Sequence, residues 1–126
     1  PILNPEMAPI CNRRKIMWSP GCGTASEISE AESLGAEIVK VFPGSTLGGP
    51  SFIKAVKGPQ PWSMMMPTGG VAPTEDNLRA WFEAGAACVG MGSKLFPKEV
   101  IANRDWGWIT NTCEQTLNII RKIRSE

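Results

Sequence analysis

Four short apolar runs alternate with helix-like segments along this chain, and that alternation limits the fold more than any other feature. The runs are Lys15–Trp18, Ala36–Pro43, Trp62–Met66 and Ala86–Gly90. Each ends in proline, glycine or both, and each is followed by a stretch with apolar residues at helical spacing. Asn4-Pro5 opens a helix expected to reach about Cys11. Thr24-Ala25-Ser26-Glu27 reads as a capping box for a helix with Ala25, Ile28, Ala31 and Leu34 on one stripe. Pro50 and Pro73-Thr74-Glu75 open two more, and Gly58-Pro59 and Gly85 stop them. A last helix from about Asp105 carries Ile109, Cys113, Leu117, Ile120 and Ile123.

Strands alternating with helices imply βαβ units and a parallel sheet. Right-handed crossovers then permit a doubly wound sheet or a (β/α)₈ barrel. Four strands account for half of a barrel, because closed examples need at least roughly 200 residues, and this chain has 126. That length holds one domain and one core.

Lys40 lies inside the second run. Strand alternation puts Ile38, Lys40 and Phe42 on one face and Val39 and Val41 on the other. Both faces are apolar, as in a parallel strand covered on both sides. Ile38, Phe42 and Met65 are expected to face the barrel interior. An ammonium there is costly without a partner, an anion or water. Desolvation favours the neutral amine, the nucleophile that forms a Schiff base with a carbonyl. A plainer account is a strand-end lysine whose head reaches water.

Composition excludes several chemistries. The chain has no histidine, which removes the commonest general base and metal ligand. Its net charge is +1 without a basic block, so nothing favours nucleic acid or an anionic membrane surface. No apolar run approaches membrane-spanning length, and no signal peptide is visible. The four cysteines, Cys11, Cys22, Cys88 and Cys113, form no CxxC pair and suit a reduced cytoplasmic protein. Met64-Met65-Met66 reads as strand core rather than a metal site, and Glu27, Glu30, Glu32 and Glu83 as solvated helix residues.

The remaining polar chemistry collects where strands end: Pro20-Gly21, Lys40, Thr68-Gly69-Gly70 and Gly92-Ser93. Ligands bind at that end of barrels and open α/β sheets. Gly69, Gly70 and Gly92 with Ser93 offer unhindered backbone N–H groups on adjacent strands, suited to a phosphate. The same glycines also suit tight strand-to-helix turns. No carboxylate closes a strand, so no general base for Lys40 is evident.

Three segments, Ile38–Pro43, Met66–Val71 and Val89–Ser93, resemble successive signatures of the KHG/KDPG aldolases, and Ser19-Pro20-Gly21 fits the same family. The resemblance runs from Pro1 to about Phe96. It implies a (β/α)₈ TIM barrel, usually a homotrimer, that needs no metal and no cofactor. This chain would supply its last four β/α units, the C-terminal half of one domain. The substrates would be 2-keto acids: 2-keto-3-deoxy-6-phosphogluconate or 4-hydroxy-2-oxoglutarate, cleaved to pyruvate and an aldehyde. Lys40 would be the Schiff-base lysine. Phe42 would pack beside the pyruvyl group, Thr68 would contact its carboxylate region, and Pro20 would border the pocket. Gly69, Gly70, Gly92 and Ser93 would hold the phosphate. The family's proton-shuttling glutamate and a carboxylate-binding arginine belong to the barrel's other half. Gly44-Ser45 stands where many members have Ala-Glu. Two alternatives stay open on the residues: a phosphate-binding barrel isomerase or synthase in which Lys40 only touches an anion, and a half-barrel that dimerises or binds a ligand without catalysis.

Overall fold

Val39 and Val41 are fully buried while Lys40 between them is not, and this two-residue period organises the molecule. In the computed structural model, which describes residues 2–126, α1 (Met7–Arg14) leads to β1 (Gly21–Cys22) and α2 (Ala25–Ser33). Then come β2 (Val39–Val41), α3 (Pro50–Lys57), β3 (Met65–Pro67) and α4 (Glu75–Glu83). A short α5 (Lys98–Ala102) and a long α6 (Trp106–Ser125) complete the order. The strands lie parallel in the order β1-β2-β3, with Gly21 opposite Lys40 and Lys40 opposite Met66. Parallel strands joined by crossover helices form an arc of a (β/α)₈ barrel.

The core lies between this sheet and its helices. Val39, Val41 and Met65 pack in one cluster with Ile28 and Ala31 of α2, Ile53 and Val56 of α3, and Leu78 and Trp81 of α4. Local signals place the helices. Thr24 caps α2 by accepting from the Glu27 amide at 3.2 Å. The capping box closes one residue early, since the Glu27 carboxylate accepts from the Gly23 amide at 2.8 Å. Pro50 occupies the first turn of α3. Arg79 of α4 binds Glu75 and Glu126, and Lys122 of α6 also binds Glu75, so charges pin α6 to α4.

Several expectations need correction. Lys15–Trp18 is not a strand. Lys15 turns left-handed at φ 56° to end α1, its amide and that of Ile16 bond back into the helix, and pairing starts only at Gly21. Helix α1 therefore starts and ends about one turn later than expected, with Asn4 accepting from the Glu6 amide ahead of it. The fourth run shrinks to a parallel bridge between Thr68 and Gly90, although Ala87 and Gly90 amides still bond to the carbonyls of Met65 and Pro67. Met65 does not face the barrel interior. Its register partner is Val39, so it points with Val39 into the helix layer and is fully buried. Its neighbour Met64 is 47% exposed instead, and Phe42 is 38% exposed. Within residues 2–126 one face of the sheet is covered by helices. Helix α5 carried no recognised signal. Among the described residues, no helix is long and apolar enough to cross a membrane.

Candidate active site

The open face of β2 carries Lys40 and Phe42, because Val39 and Val41 take the helix side. Backbone bonds on both sides fix the strand: the Lys40 and Phe42 amides donate to Pro20 at 3.0 Å and to Cys22 at 3.1 Å on the β1 side, and the Val39 amide donates to Met64 at 2.9 Å on the β3 side. The Lys40 Nζ sits 5.3 Å from the centroid of the Phe42 ring, within cation–π range. Pro20 is buried beneath this point and meets Lys40 through its carbonyl. The nearby Cys22 thiol is no competing nucleophile. Burial first, then the charges of Glu27, Glu30 and Glu32, push it up to about 11.

Beyond Phe42 the chain passes a cis peptide to Pro43 and meets the loop that follows β3. The Gly44 amide donates to Thr68 at 2.8 Å and the Ser45 amide donates to Gly69 at 3.0 Å. A Cβ on Gly44 would lie 2.9 Å from the Gly69 carbonyl oxygen, so only glycine permits this approach. Gly69 and Gly70 have φ of +90° and +78°. Their amides, and that of Val71, donate to no acceptor among the described residues. Successive unpartnered amides of this kind form an anion-binding concavity.

Thr68 stands at the centre of the loop, but its hydroxyl is turned away from solvent. Its Oγ1 is buried without a hydrogen-bond partner and lies against Gly90 across the bridge. Pairing of Thr68 with Gly90 sets the Gly92-Ser93 turn beside the Gly69-Gly70 loop at the same end of the sheet. Gly92 and Ser93 are exposed, and the Gly92 carbonyl accepts from Leu95 and Phe96. The amides of Gly92 and Ser93 donate to no acceptor among the described residues.

One contributor was missed by sequence reasoning. Asn77, in the first turn of α4, accepts from the Ala72 amide at 2.8 Å and donates to the Gly70 carbonyl at 3.1 Å. Thr74, at the N-cap position of α4, makes no side-chain capping bond. An asparagine shortly after a glycine pair was the available signal, since this side chain often binds nearby backbone. A groove of about 560 Å³ opens elsewhere, beside Asn12 of α1 and Ile16, Trp18 and Glu37 on the segments that enter β1 and β2. It lies at the opposite end of the strands and contains none of these groups.

Comparison with known proteins gives the family. A family model described as KDPG and KHG aldolase matches residues 1–112. The chain is 44% identical over 78 residues to 2-dehydro-3-deoxy-6-phosphogalactonate aldolase of Escherichia coli, covering 61% of this chain and 37% of that protein. It is 30% identical over 121 residues to 2-dehydro-3-deoxy-phosphogluconate aldolase of Haemophilus influenzae, covering 96% and 56%. Among solved structures it resembles KDPG aldolase from Legionella pneumophila, captured with pyruvate as a covalent carbinolamine intermediate. There the TM-score is 0.79 at 31% identity, over 90% of this chain and 54% of the other. The chain thus spans roughly 40–60% of the length of these relatives.

Proposed function

Because the chain belongs to the KDPG and KHG aldolase family, we propose that it carries the Schiff-base lysine and phosphate cradle of a class I aldolase. The observation that carries this reading is the position of Lys40. Among the described residues it is the one lysine borne on a strand, and it lies beside Phe42 on a segment whose continuation, Gly44-Ser45, bonds to the Thr68-Gly69 loop.

The Lys40 amine attacks the C2 ketone of a 2-keto acid to give a carbinolamine, which loses water to become a protonated imine. The imine accepts the electron pair of the breaking C3–C4 bond, and the C4 hydroxyl loses its proton as the aldehyde leaves. Protonation of the resulting enamine at C3 and hydrolysis release pyruvate and free the lysine. Phe42 walls the pyruvyl group, Thr68 lies beside its carboxylate, and Pro20 underlies the pocket. Gly69, Gly70, Gly92 and Ser93 hold the distal phosphate. The substrates are 2-keto-3-deoxy-6-phosphogluconate, 4-hydroxy-2-oxoglutarate or both.

In this reading residues 1–126 are the C-terminal half of a barrel domain, and the proton-shuttling glutamate belongs to the other half. The exposed apolar side chains of Phe42 and Met64 support such a covering. Homotrimeric assembly and a cytoplasmic setting belong to the same reading, the latter supported by four free cysteines.

Borohydride reduction with pyruvate tests it. A lactyl-type mass should appear on Lys40 in the polypeptide as its host produces it. Lys40→Arg should abolish the adduct, since a guanidinium stays protonated. Labelling of Lys54, Lys57 or Lys94 instead would end the assignment.

A further inference from the structure

The loop after β3 is held by its carbonyls. Thr68 accepts from Gly44 at 2.8 Å and Gly69 accepts from Ser45 at 3.0 Å, both main chain to main chain. Gly70 accepts from Asn77 Nδ2 at 3.1 Å. In a trans peptide the carbonyl and the following N–H point in opposite directions. Anchoring these three carbonyls therefore turns the N–H groups of Gly69, Gly70 and Val71 to the other side, where none finds a protein acceptor among the described residues. Two anchors involve main-chain atoms alone. The third depends wholly on Asn77.

Asn77 grips both flanks of Val71. Its Oδ1 must face Ala72, which offers an N–H, so its Nδ2 faces Gly70, which offers a carbonyl. The Val71 side chain is 3% exposed and fixes that residue from below. We propose that Asn77 is the positioning residue of the anion cradle. It orients the Gly70–Val71 peptide so that the Val71 amide joins those of Gly69 and Gly70 as a third donor to one phosphate. This rests on the phosphate reading above and adds to it a donor and the side chain that aims it.

The test compares Asn77→Ala and Asn77→Asp with the unaltered protein, in the polypeptide as its host produces it. Aspartate matches asparagine in shape and keeps the bond from Ala72. It loses the donor to Gly70 and sets two oxygens face to face, so it disturbs the peptide without emptying the site. Inorganic phosphate is titrated while backbone amide signals are followed, and kinetics are measured on a phosphorylated 2-keto-3-deoxy acid and on 4-hydroxy-2-oxoglutarate. Unaltered protein should show the Val71 amide moving with those of Gly69 and Gly70. Both variants should lose about tenfold in phosphate affinity and in kcat/KM for the phosphorylated substrate, the scale of one hydrogen bond to a charged group. Activity on 4-hydroxy-2-oxoglutarate and pyruvate trapping at Lys40 should stay within about twofold, a shift below half a hydrogen bond.

A folded Asn77→Asp protein with unchanged phosphate affinity, or equal losses on both substrates, would overturn the proposal and leave Asn77 a mere loop anchor. Should Asn77→Ala fail to fold, the aspartate variant still decides. Failure of the aldolase reading looks different: unaltered protein then traps no pyruvate, while phosphate affinity still falls in the variants.

Discussion

The ammonium of Lys40 faces the ring of Phe42, 5.3 Å from its centroid, two residues further along the chain and just past the end of β2. A ring so placed offers its electron-rich face to a cation, and under the proposed function that cation would be the protonated imine. Phe42→Leu keeps an apolar wall but removes the ring's electron-rich face. It should lower kcat by about two- to fivefold, the value of a partly exposed cation–π contact. Borohydride trapping should persist. Undiminished kcat would show that the ring only fills space.

Gly70 and Gly92 should separate in their tolerance of a methyl group. At Gly70 the φ is +78° and a Cβ would collide with that of Ser45, whereas nothing lies within 4 Å of a Cβ at Gly92. Gly70→Ala should cost about 1–2 kcal/mol in backbone strain alone and weaken phosphorylated substrates in addition. Gly92→Ala should leave stability within about 0.5 kcal/mol. A selective loss on phosphorylated substrate in that variant would place the phosphate against Gly92. Denaturant unfolding and paired kinetics measure both.

Trp81 connects core and loop. It is 1% exposed, and its Cη2 lies 3.4 Å from where a Gly44 Cβ would be. Trp81→Leu should cost about 3 kcal/mol and also slacken the Gly44–Thr68 contact, reducing activity beyond its effect on stability. Its indole N–H is buried without a partner, so Trp81→Phe removes an unsatisfied donor along with volume and should cost clearly less. Equal losses would show that the orphaned N–H carries no penalty.

Thr24→Ala removes the acceptor for the Glu27 amide. The expected loss is about 1 kcal/mol, read by chemical denaturation, with pyruvate trapping unaffected.

Acid should loosen α6. Hydrogen bonds from Lys122 and then Arg79 hold the Glu75 carboxyl below its ordinary value, and Arg79 does the same for Glu126. Carboxylates depressed in the folded state stabilise it above their unfolded value and lose that contribution as pH falls through the folded one. Thermal stability should therefore drop between about pH 5 and about pH 3, and Arg79→Met should reduce the drop. All four groups are at the surface, so added salt should shrink it as well.

Helices α2, α3, α4 and α6, the inner and outer faces of β2 and the glycine-rich strand ends were legible because each rests on local chemistry: period-two alternation, capping residues and proline or glycine stops. Besides α5 and the shortened fourth run, three features were not. The short Lys15–Trp18 run looks extended by composition, yet its first residue closes α1 in a left-handed turn that depends on the whole preceding helix. Three consecutive methionines carry no alternation, so only pairing with Val39 decides that Met65 faces the helices. Asn77 acts across a helix start onto a loop, and spacing alone does not show which carbonyl it reaches. The resemblance to the aldolases suggests roles for Lys40 and the glycines, whereas the contacts of Asn77 with Gly70 and Ala72 depend on the tertiary fold.

The paired bonds from Gly44 to Thr68 and from Ser45 to Gly69 also make the site a ruler. They tie the chain just beyond the lysine's strand to the loop bearing the free amides. Under the proposed function, the span from an imine at Lys40 to a phosphate at those amides would be set by two main-chain hydrogen bonds. A substrate with its phosphate one carbon nearer or farther would then have to forgo either the amides or the attack angle at C2, and surface substitutions that leave those two bonds intact should not retune that choice.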